Sequence, residues 1–139
     1  MTIRDKNAVA EPVRVNRLPL ILDVYARTLA VVMMLLGLRQ WAIILGIHEG
    51  CGGMFEEMSA SWQIATMHLA VADLVAAVGL WMRVAWGNVV WIYAALSEIA
   101  LHTVFISTFG SDMLVVAFHF ATLAGFAILF IMSRRAEAR

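Results

Sequence analysis

Four apolar stretches, 28–47, 61–82, 88–109 and 113–132, carry only three formal charges between them: Arg39, Asp73 and Glu98. Each stretch has the ~20 residues needed to cross a hydrocarbon layer ~30 Å thick. Ionisable groups are costly in such a layer, and where they occur they mark pairing, transport or a site. The whole chain of 139 residues is 63% hydrophobic and 14% charged. A soluble domain has roughly 45–50% apolar and ~25% charged residues, so a soluble globular domain is excluded. The expected class is an all-α integral membrane protein.

The distribution of charge predicts its orientation. Arg4, Lys6, Arg14, Arg17, Arg27, Arg83, Arg134, Arg135 and Arg139 lie in the N-terminal arm, the connection after the second stretch, or the C-terminal tail. The other two connections hold Glu49, Glu56, Glu57 and Asp112 and neither Lys nor Arg. By the positive-inside rule, both termini and the 83–87 turn are expected to be cytoplasmic. Short connections make neighbouring helices antiparallel, which predicts an up-down four-helix bundle. Residues 1–17 read as a cytoplasmic arm, 18–133 as the transmembrane domain and 134–139 as a basic cytoplasmic tail.

Local signals fit this division. Pro19 suits the first turn of a helix, where its missing N–H costs nothing. Asp23 and Arg27, four apart, can pair on one helical face. Gly46, Gly50, Gly52 and Gly53 end the first helix and open the 48–60 connection, where 54–58 can lie along the interface as an amphipathic turn. Trp81, Trp86 and Trp91 flank the 83–87 turn as interfacial anchors. Ser111 or Asp112 can cap the last helix. The first stretch is too long for a cleavable signal, and no small-x-small site follows it. Cys51, the lone cysteine, reads as a loop residue without an internal partner. No phosphate loop, nucleotide fingerprint or nucleic-acid-binding pattern is present.

Counting from the helix ends puts Arg39, Asp73 and Glu98 near the middle of the layer. His68, His102 and His119 fall about one helical turn nearer the acidic connections. Glu98 and His102 share a face of the third helix at i and i+4. His68 and Asp73, five apart, diverge by ~140° around the second. Arg39 can neutralise Asp73 or Glu98 but not both. The other carboxyl must take a proton, meet a histidinium or bind a cation.

Four readings of this polar set stay open. The groups can join helices by hydrogen bonds, aided by Thr66, Ser97 and Thr122. His68, His102, His119 and Glu98 can hold a transition metal, although the spacing here is Glu-x-x-x-His rather than the di-iron Glu-x-x-His. Two of the histidines can be axial ligands of haem b. Glu98 and the histidines can also relay protons.

The segments Gly79-Leu80-Trp81, Trp86-Gly87, Val90-Trp91, Glu98-Ile99, Phe109-Gly110 and the later His119 carry a resemblance. Over roughly residues 30–130 the chain resembles a group of small, four-span alphaproteobacterial inner-membrane proteins that form a domain of unknown function. The resemblance implies a bacterial inner-membrane location and puts Glu98 and His119 on motif positions. It implies no activity.

With tiny loops and no soluble catalytic surface, the expected function is non-enzymatic. The chain reads as an accessory or assembly subunit, in a homo- or hetero-oligomer, that acts through a membrane partner. Small residues such as Ala94 and Ala95 offer it packing faces. The alternative is a metal- or haem-binding redox or transport protein.

Overall fold

The computed structural model describes residues 18–50 and 53–137. The N-terminal arm, Cys51 and the last two residues lie outside them. The described residues are helical, without a β-strand: α1 (Leu18–Ile44), α2 (Ala60–Trp81), α3 (Ala85–Thr103), a short α4 (Ile106–Phe109) and α5 (Met113–Glu137). Three helices are long and apolar enough to cross a membrane: α1, α2 and Met113–Ala136 of α5. α3 is not among them, because its nineteen residues include Asn88, Ser97, Glu98 and His102.

Each helix end has a local cause. α1 stops where Gly46 takes φ +69°. The N–H of Gly46 bonds the Ile43 carbonyl at 3.0 Å and that of Ile47 bonds Ala42 at 2.9 Å. This pair of bonds is the Schellman arrangement, which a glycine adopts without a Cβ penalty. The same arrangement closes α2, with Arg83 at φ 56° in the left-handed position. There the N–H groups of Arg83 and Val84 bond the carbonyls of Leu80 and Gly79. The Arg83 guanidinium then reaches across to Asp23 of α1, which also pairs with Arg27 at 3.3 Å.

The expected third helix, 88–109, is not continuous. Thr103 turns its hydroxyl back to the Ile99 carbonyl at 2.6 Å. The N–H groups of both Val104 and Phe105 crowd onto the Ala100 carbonyl. Such back-bonding competes with the helical ladder, and α4 restarts after Phe105. The expected boundary at 133 also falls inside a helix. α5 runs on through Arg134 and Arg135, cations favoured at a helix C-terminus.

α1 packs on α2, α2 on α3 and α3 on α5, while α1 and α5 meet along a shorter seam. The core between them is Ala-rich: Ala30, Ala72, Ala76, Ala77 and Ala94 surround Met33, Leu80 and a fully buried Trp91. Small side chains let helix backbones approach closely. The approach is tightest where α2 meets α3, since a Cβ on Gly79 would stand 2.4 Å from the Gly87 Cα. Ala94 and Ala95 are consumed in this interior, at 1% and 0% exposure. They offer no face to a partner, contrary to the sequence expectation.

Candidate functional site: a buried carboxylate–imidazole pair

Glu98 lies five residues before the end of α3, and His119 six residues after the start of α5. At about 1.5 Å per residue, each sits about 8–9 Å along its helix from the end that meets the Asp112 connection. Their side chains meet there, Glu98 Oε2 against His119 Nε2, in the sole ion-pair contact inside the core among the described residues. Glu98 is 8% and His119 1% exposed.

The surroundings fix the imidazole. Its ring meets Phe118 edge-on, with centroids 5.1 Å apart. The Thr122 hydroxyl donates to the His119 carbonyl at 3.0 Å, and the Tyr25 hydroxyl of α1 donates to the Thr122 carbonyl at 2.5 Å. A proton on Nε2, donated to Glu98, leaves Nδ1 as a buried lone pair without a partner. An unmet acceptor of this kind costs less than an unmet charged donor.

Asp73 stays apart from this pair. It is 1% exposed and lies thirteen residues into α2, deeper than Glu98. Its Cβ packs 3.2 Å from where Gly37 of α1 would carry one, and its Oδ2 has no hydrogen-bond partner. It remains within electrostatic reach of Glu98.

The expected pairing of Arg39 with Asp73 or Glu98 is not made. Arg39 is exposed, and no ion pair involves it among the described residues. The cause is geometric: Glu98 turns toward α5, Asp73 lies deeper against Gly37, and Arg39 sits at the rim of α1. The rim nevertheless belongs to the site. Arg39, Gln40, Thr66, Glu98, His102 and Asp112 line a cavity of about 120 Å³ toward the acidic loops. A second hollow of about 230 Å³ opens sideways between α1 and α5, with Leu36, Arg39, Glu98, Phe118 and His119 in its wall. Glu98 is thus reached from two directions.

The other histidines go elsewhere. His68 is half-buried with its ring edge on Tyr93, centroids 5.4 Å apart. His102, in the last turn of α3, donates from Nδ1 to the Gly110 carbonyl at 3.4 Å. Among the described residues no three His, Cys, Asp or Glu side chains come together as a metal-binding group. Of the set His68, His102, His119 and Glu98, the structure brings Glu98 and His119 into contact, while His68 and His102 lie against Tyr93 and Gly110. Gln40 escaped the sequence reading, although an amide beside Arg39 in an apolar run was a signal for it. Asp112 appeared there as a charge of an acidic connection and as a cap, and it does cap α5, accepting from the N–H of Leu114 at 3.0 Å.

An all-helical chain with three helices able to cross a membrane, and with a buried carboxylate–imidazole pair between two helices, defines a small polytopic membrane protein. The chain belongs to DUF6163, a family of unknown function whose model matches residues 20–137. The matched segment takes in both members of the pair. No curated protein and no solved structure matches the chain.

Proposed function

We propose that the chain is a four-helix bundle of a bacterial inner membrane, with both termini cytoplasmic, acting as a non-enzymatic accessory or assembly subunit. In this reading α3 also spans. Its nineteen residues give about 28 Å of helix, close to the hydrocarbon thickness, and its most polar groups are turned inward. The acidic loops lie outside and the basic ends inside.

The observation that carries the subunit reading is the surface of α5. It is the most apolar span, yet only 11% of its apolar window is buried inside the chain. On one exposed face Ala117, Ala121 and Ala124 follow at helical spacing. Lipid needs no small residues, whereas a neighbouring helix uses them to come close. The reading puts the partner helix against this face rather than against Ala94 and Ala95.

The test is the size of the native assembly. Membranes solubilised in mild detergent should yield the chain in a complex larger than the monomer, and Ala121→Trp should release it. A wild-type chain that migrates as a monomer would contradict the reading.

A further inference from the structure

A separate hollow of about 230 Å³ lies at the basic end of the molecule, between the start of α1 and the end of α5. Most of its wall is apolar: Leu22 and Ala26 of α1, Leu80 of α2, and Phe126 and Phe130 of α5. The rest is Arg83, Asn88 and Ser133. Such a wall fits an amphipathic ligand, with its head among these three polar residues and its tail along the α1–α5 seam.

The polar side presents donors. Arg83 gives Nη1 to Asp23, which leaves its Nη2 and Nε without a partner among the described residues. The Asn88 amide is half-buried and makes no hydrogen bond among those residues. Arg134 stands at the edge, its guanidinium carbon 5.5 Å from the centre of the Phe130 ring. Ser133 gives its own proton to the Phe130 carbonyl at 2.9 Å, so its oxygen is left to accept.

Charge selects the head. Asp23 is shared by Arg27 and Arg83 and neutralises only one of them. Arg134 adds a positive charge without an ion pair among the described residues. No carboxylate lines the hollow among those residues. An anion is therefore attracted, and forked guanidinium donors match phosphate oxygens. A soluble phosphate gains nothing from the apolar wall, whereas the acyl chain of a phospholipid does. Basic pockets between transmembrane helices hold anionic headgroups by this combination.

We propose that this hollow seats one anionic phospholipid. Arg83, Asn88 and Arg134 donate to its phosphodiester, and an acyl chain runs along Leu22, Ala26 and Phe126. A glycerol head adds a hydroxyl that donates to Ser133. Such a site needs a bilayer but no partner subunit. A monomer that binds the lipid contradicts the subunit reading alone, and a larger complex that does not bind it contradicts the lipid site alone.

The test titrates the purified full chain in mild detergent with phosphatidylglycerol and counts bound lipid by native mass spectrometry. One phosphatidylglycerol per chain should bind saturably, at least about tenfold more tightly than phosphatidylethanolamine, whose ammonium meets the same arginines. Arg83→Gln and Asn88→Leu should each weaken it about tenfold, as loss of a hydrogen bond to a charged group does. Arg134→Ala and Arg135→Ala remove equal charge from different sides of α5. At 100° per residue, Arg134 lies about 40° around the helix from Phe130 and Arg135 about 140°. Only Arg134→Ala should weaken binding, and as an exposed site it reports on a folded chain even if Arg83→Gln does not fold. Equal binding of the two lipids, an Asn88→Leu chain that binds as the wild type does, an Arg134→Ala chain that binds no worse than Arg135→Ala, or displacement by millimolar inorganic phosphate would each overturn the proposal.

Discussion

Glu98 of α3 and His119 of α5 face each other inside the protein, carboxylate oxygen against imidazole nitrogen, with almost no exposure of either. The contact joins α5 to the remainder of the core at a level where the α1–α5 seam is open. Loss of one partner leaves the other buried and unmatched, which typically costs ~3–5 kcal/mol. Glu98→Ala and His119→Ala should each lower the thermal midpoint in detergent strongly. Glu98→Leu combined with His119→Leu should cost much less than the sum of the single changes. Additive losses would show that the two residues do not act as a pair.

Arg39 makes the opposite prediction. Without an ion pair in the chain, Arg39→Gln should change stability by less than ~1 kcal/mol, as for exposed charges generally. A loss as large as that of His119→Ala would restore the pairing that the sequence alone suggested.

The Gly79–Gly87 contact admits no side chain. Gly87→Ala would set its Cβ 2.2 Å from the Gly79 carbonyl carbon, and backbone cannot yield as a side-chain tip does. Overpacking costs typically ~1–3 kcal/mol, and this site should reach the top of that range in a thermal melt. A Gly87→Ala chain as stable as the wild type would mean that α2 and α3 do not approach this closely.

Trp91 is fully buried and its indole N–H has no partner. Trp91→Phe should therefore be mild, since no hydrogen bond is lost, while Trp91→Ala should cost about 3–5 kcal/mol through the cavity it leaves. The two substitutions, compared by thermal unfolding, separate packing from polarity at this position.

The helices were legible in the sequence because charge depletion and glycine placement act locally. Gly46 ends α1 and Asp112 caps α5 through bonds within a few residues, so their neighbours announce them. The break after Thr103 was not legible, because no Asp, Glu, Lys, Arg, Gly or Pro stands in 99–109 to mark it, and hydroxyl back-bonding is what interrupts the helix there. Counting depth brought Glu98 and His119 to neighbouring levels, but choosing Glu98's partner needed the rotation of each helix. Arg39, Asp73 and His102 were all at plausible levels, and the direction of each side chain separates them. Ala94 and Ala95 failed for the same reason: a small residue suits an internal and an external helix contact equally.

The central claim is that all four long helices, α3 included, cross one membrane. Compartment reporters inserted at Gly53, Arg83 and Gly110 and fused after Arg139 test it most directly. Arg83 and Arg139 should report the cytoplasm, and Gly53 and Gly110 the opposite side. Arg83 and Gly110 reporting the same compartment would mean that α3 does not span, and would contradict the account.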